Sequence, residues 1–330
     1  MMISARVVSR LSILLLASVL FALPSSTQAQ PAADKPFTTE QLDQMLAPIA
    51  LYPDELLSNV LMASTYPLEI VQAARWRKEP ANAKLKDEAL TKSLEPKDWD
   101  PSVKSLTAVP DVLQTMSEKL EWTQKLGDAF VAQEDEVFER IQFLRKKAAE
   151  AGNLKSNKQQ KVETKTNYIV IEPAEPNVVY VPVYQPTVVY GTWWYPAYPP
   201  YYWYWGRPAS SFVNGFFWGA GYAVSRSIWG WGRCDWDRGD IHIDIDRYNS
   251  INVNRTQITS NTWNHDPKHR GSVPYRDKAS REKYGKVDKS NIRRDDFRGF
   301  DKDKAGAKLG DGGAAGIKDK LGEGSAAKIK

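Results

Sequence analysis

The sequence predicts an α+β fold: an N-terminal helical bundle over residues 38–151, a small β-rich, aromatic and glycine-rich module over 167–284, and a disordered basic tail over 286–330. Three observations carry this. Apolar residues recur at helical intervals behind proline and capping signals as far as Gly152. From about residue 167, β-branched and aromatic runs bounded by Pro and Gly take over. From about residue 286 the chain is Lys, Asp, Gly and Ala with almost no aromatic residue after Phe300, too little apolar surface to offset the entropy of ordering.

The chain starts with Arg6 and Arg10, an apolar run from Leu11 to Leu23 and the small-residue site Thr27-Gln28-Ala29. The run is too short to span a hydrocarbon layer of ~30 Å and reads as a signal peptide, residues 1–29, cut after Ala29. The expectation is an exported protein. No cysteine follows the cleavage site, so lipid attachment there is not available, and the lone Cys234 offers no internal disulfide. That thiol is either buried or free to pair between molecules.

Charge divides unevenly. From residue 264 to the end, eighteen Lys and Arg face eleven Asp and Glu, whereas residues 30–263 carry about minus four. A basic end suits anionic lipid or cell-wall polymer, or is a solvated tail, and export argues against nucleic acid.

Thr38 and Gln41 have capping-box spacing, with Leu42, Met45, Leu46 and Ile49 following on one helical face. The phrases "YPDELL" and "YPLEIV", fourteen residues apart, each place a proline and an acid where a helix begins. Asp100-Pro101 and Val109-Pro110 repeat the signal, and a long helix is expected over 127–151, stopped by Gly152. Glu55 and Glu69 sit in first turns, where the helix dipole already gives an acid a local role; a catalytic pair is the alternative.

The phrases "LAPIALYPDELLSNVLMASTYPLEIVQAARW" from Leu46, "WDPSVKSL" from Trp99, "LGDAF" from Leu126, "AAEAGNLKS" from Ala148, "IVIEPAEPNVVYVPVYQPTVVYG" from Ile169, "CDWDRGD" from Cys234 and "HRGSVPYRD" from His269 follow in order. By them the chain resembles the bacterial domain-of-unknown-function 3300 family, sometimes grouped as outer-membrane-related proteins. The resemblance covers about residues 38–284. It implies an exported envelope protein of Gram-negative bacteria, in the periplasm or at the outer membrane, with no assigned activity and no site residues to carry over.

After a polar linker at 155–166, "NYIVIEP", "NVVYVPVY" and "PTVVYG" read as three short strands, with Pro173 to Asn177 as a turn and Pro182 at an edge or bulge. The segment at 191–208 then packs nine Trp or Tyr rings into eighteen residues, among prolines that keep it extended. Its rings, Trp193, Trp194, Tyr195, Tyr201, Tyr202, Trp203, Tyr204 and Trp205 above all, have three uses: clasping the bundle as core, lying at a membrane interface, or stacking on sugar or peptide. Next, Ser211, Gly215, Gly219, Ala223 and Ser227 recur every fourth residue, a stripe that lets helices touch closely. A hairpin or helix buried in protein and a self-association element near lipid both fit.

Within "CDWDRGDIHIDID", alternation places His242, Asp244 and Asp246 on one face of a strand. That face is either solvated or, with the aspartates before it, a Ca²⁺ or Mg²⁺ site; the opening loosely resembles a calcium loop but has Gly239 where a third ligand belongs and no Glu at the twelfth position. Otherwise no cofactor is expected. His265 and His269 have helical metal-pair spacing, yet Asp266-Pro267 caps a helix between them and leaves His265 outside. Serine-hydrolase, zinc-protease, P-loop and dinucleotide motifs are all missing, which removes the usual grounds for proposing an enzyme. The expected function is a non-enzymatic structural or interaction role through the aromatic and small-residue region; the alternative is a cell-wall glycan binder or hydrolase using the rings and the Asp/His face.

Overall fold

The first turn forms as its spacing predicts. In the computed structural model, which describes residues 35–203, 209–252 and 258–285, the Thr38 hydroxyl accepts the Gln41 backbone N–H and the Gln41 side chain accepts that of Thr38. The expected signal peptide, the expected disordered tail at 286–330, and Tyr204 and Trp205 lie outside the described residues.

Helix α1 (Thr39–Leu46) is followed by α2 (Asp54–Ser64), α3 (Pro67–Lys78), α4 (Asp87–Leu94), α5 (Pro101–Leu106), α6 (Pro110–Glu118), α7 (Leu120–Ala132) and α8 (Glu134–Glu150). Pro67, Pro101 and Pro110 each occupy the first turn, where a missing N–H costs no internal bond. The single long helix expected over 127–151 is corrected to two. Gln133 leaves helical geometry between α7 and α8, and its side chain instead bonds both backbone groups of Phe37, at 3.0 and 3.1 Å. Gly127 therefore lies inside α7, where a Cβ would sit 2.2 Å from the carbonyl oxygen of Ser64. That glycine is needed for the close crossing of α2 and α7.

The polar linker is also corrected: residues 160–164 form a strand. β1 (Gln160–Thr164) pairs antiparallel with β2 (Ile169–Pro173), with Val162 opposite Ile171. β3 (Val178–Val179) and β4 (Pro182–Tyr184) follow, but "PTVVYG" is not a strand. Pro186 instead starts the one-turn helix α9 (Pro186–Val189), closed by the Tyr190 N–H on the Pro186 carbonyl at 2.9 Å. β5 (Phe216–Trp218) pairs with β4, β6 (Tyr222–Ala223) with β3, and β7 (Gly232–Asp235) with β8 (Asp240–Ile243), all antiparallel. Helices α10 (Ile245–Ile251), α11 (Pro267–Arg270) and α12 (Lys278–Tyr284) complete the described chain.

Among the described residues every sheet is two-stranded. Such pairs are marginal in water and need a packed face. One continuous core supplies it, joining Leu57, Leu61, Leu126 and Leu144 of the helices to Ile171, Tyr184, Trp229 and Ile241 of the later segments. Of the hairpin and the helix that the small residues from Ser211 to Ser227 allow, the helix does not form. β5 and β6 occupy the segment, and Gly215, at φ +80°, turns the chain where a Cβ would press to 2.8 Å from Val188. The small residues serve turns and close passages between strands rather than one helix face.

Candidate functional site

Buried acids on the helices organise the aromatic segments. Asp43 of α1 is fully buried and takes a two-pronged bond from Arg140, at 2.6 and 2.7 Å, and the indole N–H of Trp194 at 3.2 Å. Burial pushes its carboxyl above the usual range, against the pull of Arg140. Asp54, at the start of α2, pairs with Arg145 at 2.7 Å and accepts the indole N–H of Trp236 at 2.7 Å. Arg145 has no exposed surface; it also donates to the carbonyls of Ala50, Tyr52 and Ile169 and lies 4.6 Å from the Trp236 ring centre. Glu55 accepts the indole N–H of Trp229 at 2.8 Å. Three tryptophans thus latch the later segments onto α1 and α2.

The sequence-predicted contact rings divide accordingly. Trp193 stacks on Trp194 at 4.5 Å, and Trp194 meets Phe143 edge-on. Trp203 is buried, edge-on to Trp122 at 4.5 Å. The chain between them is held to α1 by Gln44, which accepts the Tyr201 N–H on its carbonyl and donates its side-chain amide to Pro199. Tyr195 and Tyr202 are half-buried, against Trp194 and Phe212 respectively. Gly219 and Ala223 line a cleft of about 360 Å³ with Arg77, Leu90 and Tyr222. A second cleft, of about 500 Å³, brings Asn153, Ser156, Asn157 and Gln160 against Phe217 and Trp218. Both border β5, and Gly215 turns the chain into that strand.

His242, Asp244 and Asp246 do not share a face. The strand ends at Ile243, because the exposed Asp244 caps α10 and accepts the Arg247 N–H at 3.2 Å, which leaves Asp246 in that helix's first turn. Aspartate's preference for capping overrides the alternation. Among the described residues no three His, Cys, Asp or Glu side chains gather where they could hold a metal ion. Cys234 is buried on β7, its sulfur 3.7 Å from the Asp54 carbonyl, and burial pushes the thiol well up.

Sequence reasoning missed a polar cluster beneath α11. His269 Nδ1 lies 2.7 Å from Glu69, whose other oxygen accepts the Asp100 N–H at 2.7 Å. Burial raises the Glu69 carboxyl, against the pull of His269. Arg270 pairs with Asp128 at 2.6 Å. His265 stacks on Tyr66, with ring centres 5.3 Å apart, and its nitrogens meet Thr65 at 3.2 Å and Tyr275 at 2.7 Å. Burial, then the charge of Arg270, pushes its pKa down to about 3, so the ring stays neutral. The two histidines take separate partners, as do Glu55 and Glu69. The cap at Asp266 was visible in sequence; nothing in it named partners two hundred residues away.

A family model described as a protein of unknown function, DUF3300, matches residues 38–269. The uncharacterised protein YacH of Escherichia coli strain K12 is 35% identical over 332 residues, covering 80% of this chain and 53% of the relative. The chain thus spans about half the length of the curated relative it matches. No solved structure matches significantly.

Proposed function

Starting from a chain that belongs to the DUF3300 family, we propose an exported, non-enzymatic envelope protein of a Gram-negative bacterium, with a structural or interaction role in the periplasm or at the outer membrane. One observation carries this reading: the latched tryptophans hold the chain around β5 in place, with two clefts and the exposed Val213 and Val188 beside it. The turn before β5 is then the contact region, and its partners are envelope components: outer-membrane lipid, cell-wall polymer or a second copy of the chain. Exposed apolar residues flanked by clefts suit such a surface. The signal-like start supports export and makes nucleic acid an unsuitable partner.

The test is fractionation of the native host into inner membrane, outer membrane and periplasm. Deleting 191–231 would remove core residues such as Trp203 and Trp229, so the variant to compare is Val213→Asp, at a residue 73% exposed. The reading expects outer-membrane recovery that falls with Val213→Asp. Soluble, monomeric periplasmic recovery of the intact protein at low and high salt would overturn it.

A second reading, a cell-wall glycan binder, has its own support in the larger cleft. Amide and hydroxyl side chains beside aromatic rings suit a neutral sugar, whose faces are apolar and whose edges hydrogen-bond. This reading expects chitotriose to change the tryptophan fluorescence of the intact protein, and Trp218→Ala to abolish that change. An unchanged spectrum at millimolar sugar would count against it.

A further inference from the structure

Arg77, in the last turn of α3, is buried without an acid. Its Nε donates to the Thr107 carbonyl at 3.0 Å, its Nη2 to that of Leu85 at 2.9 Å and its Nη1 to that of Asn82. These bonds tie the loop between α3 and α4 to the end of α5, yet they commit only three of a guanidinium's five N–H groups. One is left on each terminal nitrogen. Arg145 and Arg270, buried likewise, each hold an aspartate, at 2.7 and 2.6 Å. Among the described residues Arg77 has no such partner, and burial, with no carboxylate to offset it, lowers the guanidinium's pKa.

The same residue borders the cleft of about 360 Å³ beside β5. Leu90, Val181 and Phe217 give that cleft an apolar lining, and from Gly219 to Gly221 the lining carries no large side chain. A Cβ on Gly219 would meet nothing closer than 4.0 Å. The exposed Lys86 lines it too, as does Asp111, which accepts the Tyr222 hydroxyl. Two cations against one acid leave the cleft short of a single negative charge. A buried cation bonded only to neutral groups is costly, and an anion brought to it in an apolar setting binds strongly.

We propose that this cleft binds an aliphatic monocarboxylate, of the fatty-acid class, with its carboxylate on Arg77 and Lys86 and its chain along Leu90, Val181 and Phe217. A carboxylate takes two N–H groups of a guanidinium at once, and its single charge matches the surplus. A phosphate dianion would exceed that surplus and meet Asp111 with charge to spare. The cleft adjoins the proposed contact region, but its ligand does not depend on that region touching the envelope.

Calorimetric titration of the intact purified protein with octanoate tests it, with 1-octanol as the uncharged analogue. Saturable binding of octanoate is expected, with 1-octanol roughly tenfold weaker, the worth of a charged hydrogen bond. Arg77→Gln is expected to weaken octanoate by a similar factor and leave 1-octanol unchanged. Because Arg77 also ties a loop, Gly219→Leu supplies a second variant: its side chain enters open space beside the cleft and is expected to abolish octanoate binding with the circular dichroism of the wild type. No saturable heat at millimolar octanoate, equal affinity for 1-octanol, or wild-type binding by folded Gly219→Leu would each overturn the proposal. So would binding of inorganic phosphate in place of octanoate. Fractionation of the host bears on the envelope role alone, so the two readings can fail separately.

Discussion

Arg145→Met isolates the cost of holding the two halves of the chain together with a buried charge. The substitution keeps an apolar stem over Trp236 but removes the ion pair to Asp54 and the donors to the Ala50, Tyr52 and Ile169 carbonyls. Breaking one side of a buried pair costs about 3–5 kcal/mol, because the remaining charge is left without compensation. Each orphaned carbonyl adds about 1–3 kcal/mol where no other donor reaches it, and Ile169 retains the side-chain amide of Gln142 at 3.0 Å. These terms are not additive, so a loss of at least about 4 kcal/mol is expected at pH 7, read by urea unfolding. The sign with pH follows from Asp54, whose carboxyl is raised by burial. A raised folded pKa means that the native state takes up a proton more readily than the unfolded chain, so acid relieves the penalty. The deficit of Arg145→Met should therefore shrink as pH falls toward 5, and Asp54→Asn in the same background should recover part of it. A loss under about 1 kcal/mol, or a deficit that Asp54→Asn leaves unchanged, would refute the argument.

Two further outcomes are expected. His265 is held neutral with a pKa of about 3 against 6.5, so the unfolded chain binds the extra proton and stability is complete above about pH 6.5, then falls steadily toward pH 3. Heteronuclear NMR of the ring should show no titration between pH 5 and 8, and an apparent pKa near 6.5 would contradict its burial. Gly127→Ala drives a methyl into the Ser64 backbone and should cost about 2–3 kcal/mol in urea unfolding. Gly219→Ala meets nothing closer than 4.0 Å and should stay within about 0.5 kcal/mol; equal effects at the two glycines would show that the α2–α7 crossing yields easily.

What could be read from the sequence was local. The capping box at Thr38, the proline starts at Pro67, Pro101 and Pro110, the stop at Gly152 and the cap at Asp266 all depend on neighbours within a few residues, and all appear. The errors arose partly where a distant partner decided and partly where a local signal was outweighed by composition. Gln133 breaks a plausible long helix because it binds Phe37. Residues 160–164 look like a polar linker because β1 is half solvated and paired with only one strand. "PTVVYG" has strand composition, yet Pro186 at a first helical position and the following carbonyl bond make a turn of helix. Of the candidate site, the rings were conspicuous and their partners were not. Asp43 and Trp194 are separated by 151 positions, Asp54 and Trp236 by 182.

That separation explains the demand for indole. Strand pairs of two to five residues cannot hold the later half of this chain by ladder bonds alone, so each piece must bring its own buried area. A tryptophan brings about 150–250 Å², equivalent to roughly 4–6 kcal/mol at the usual apolar coefficient before ordering costs. Phenylalanine would supply similar area, but it would leave Asp43, Asp54 and Glu55 short of a donor where each now accepts an indole N–H. Lysine would supply the donor together with a charge to desolvate and a longer side chain to order. Tryptophan satisfies the buried acid and fills the interface at once, adding no charge. The low charge of the aromatic segment thus follows from what it docks onto: a helical surface that already carries its own acids and arginines, Asp43 with Arg140 and Asp54 with Arg145.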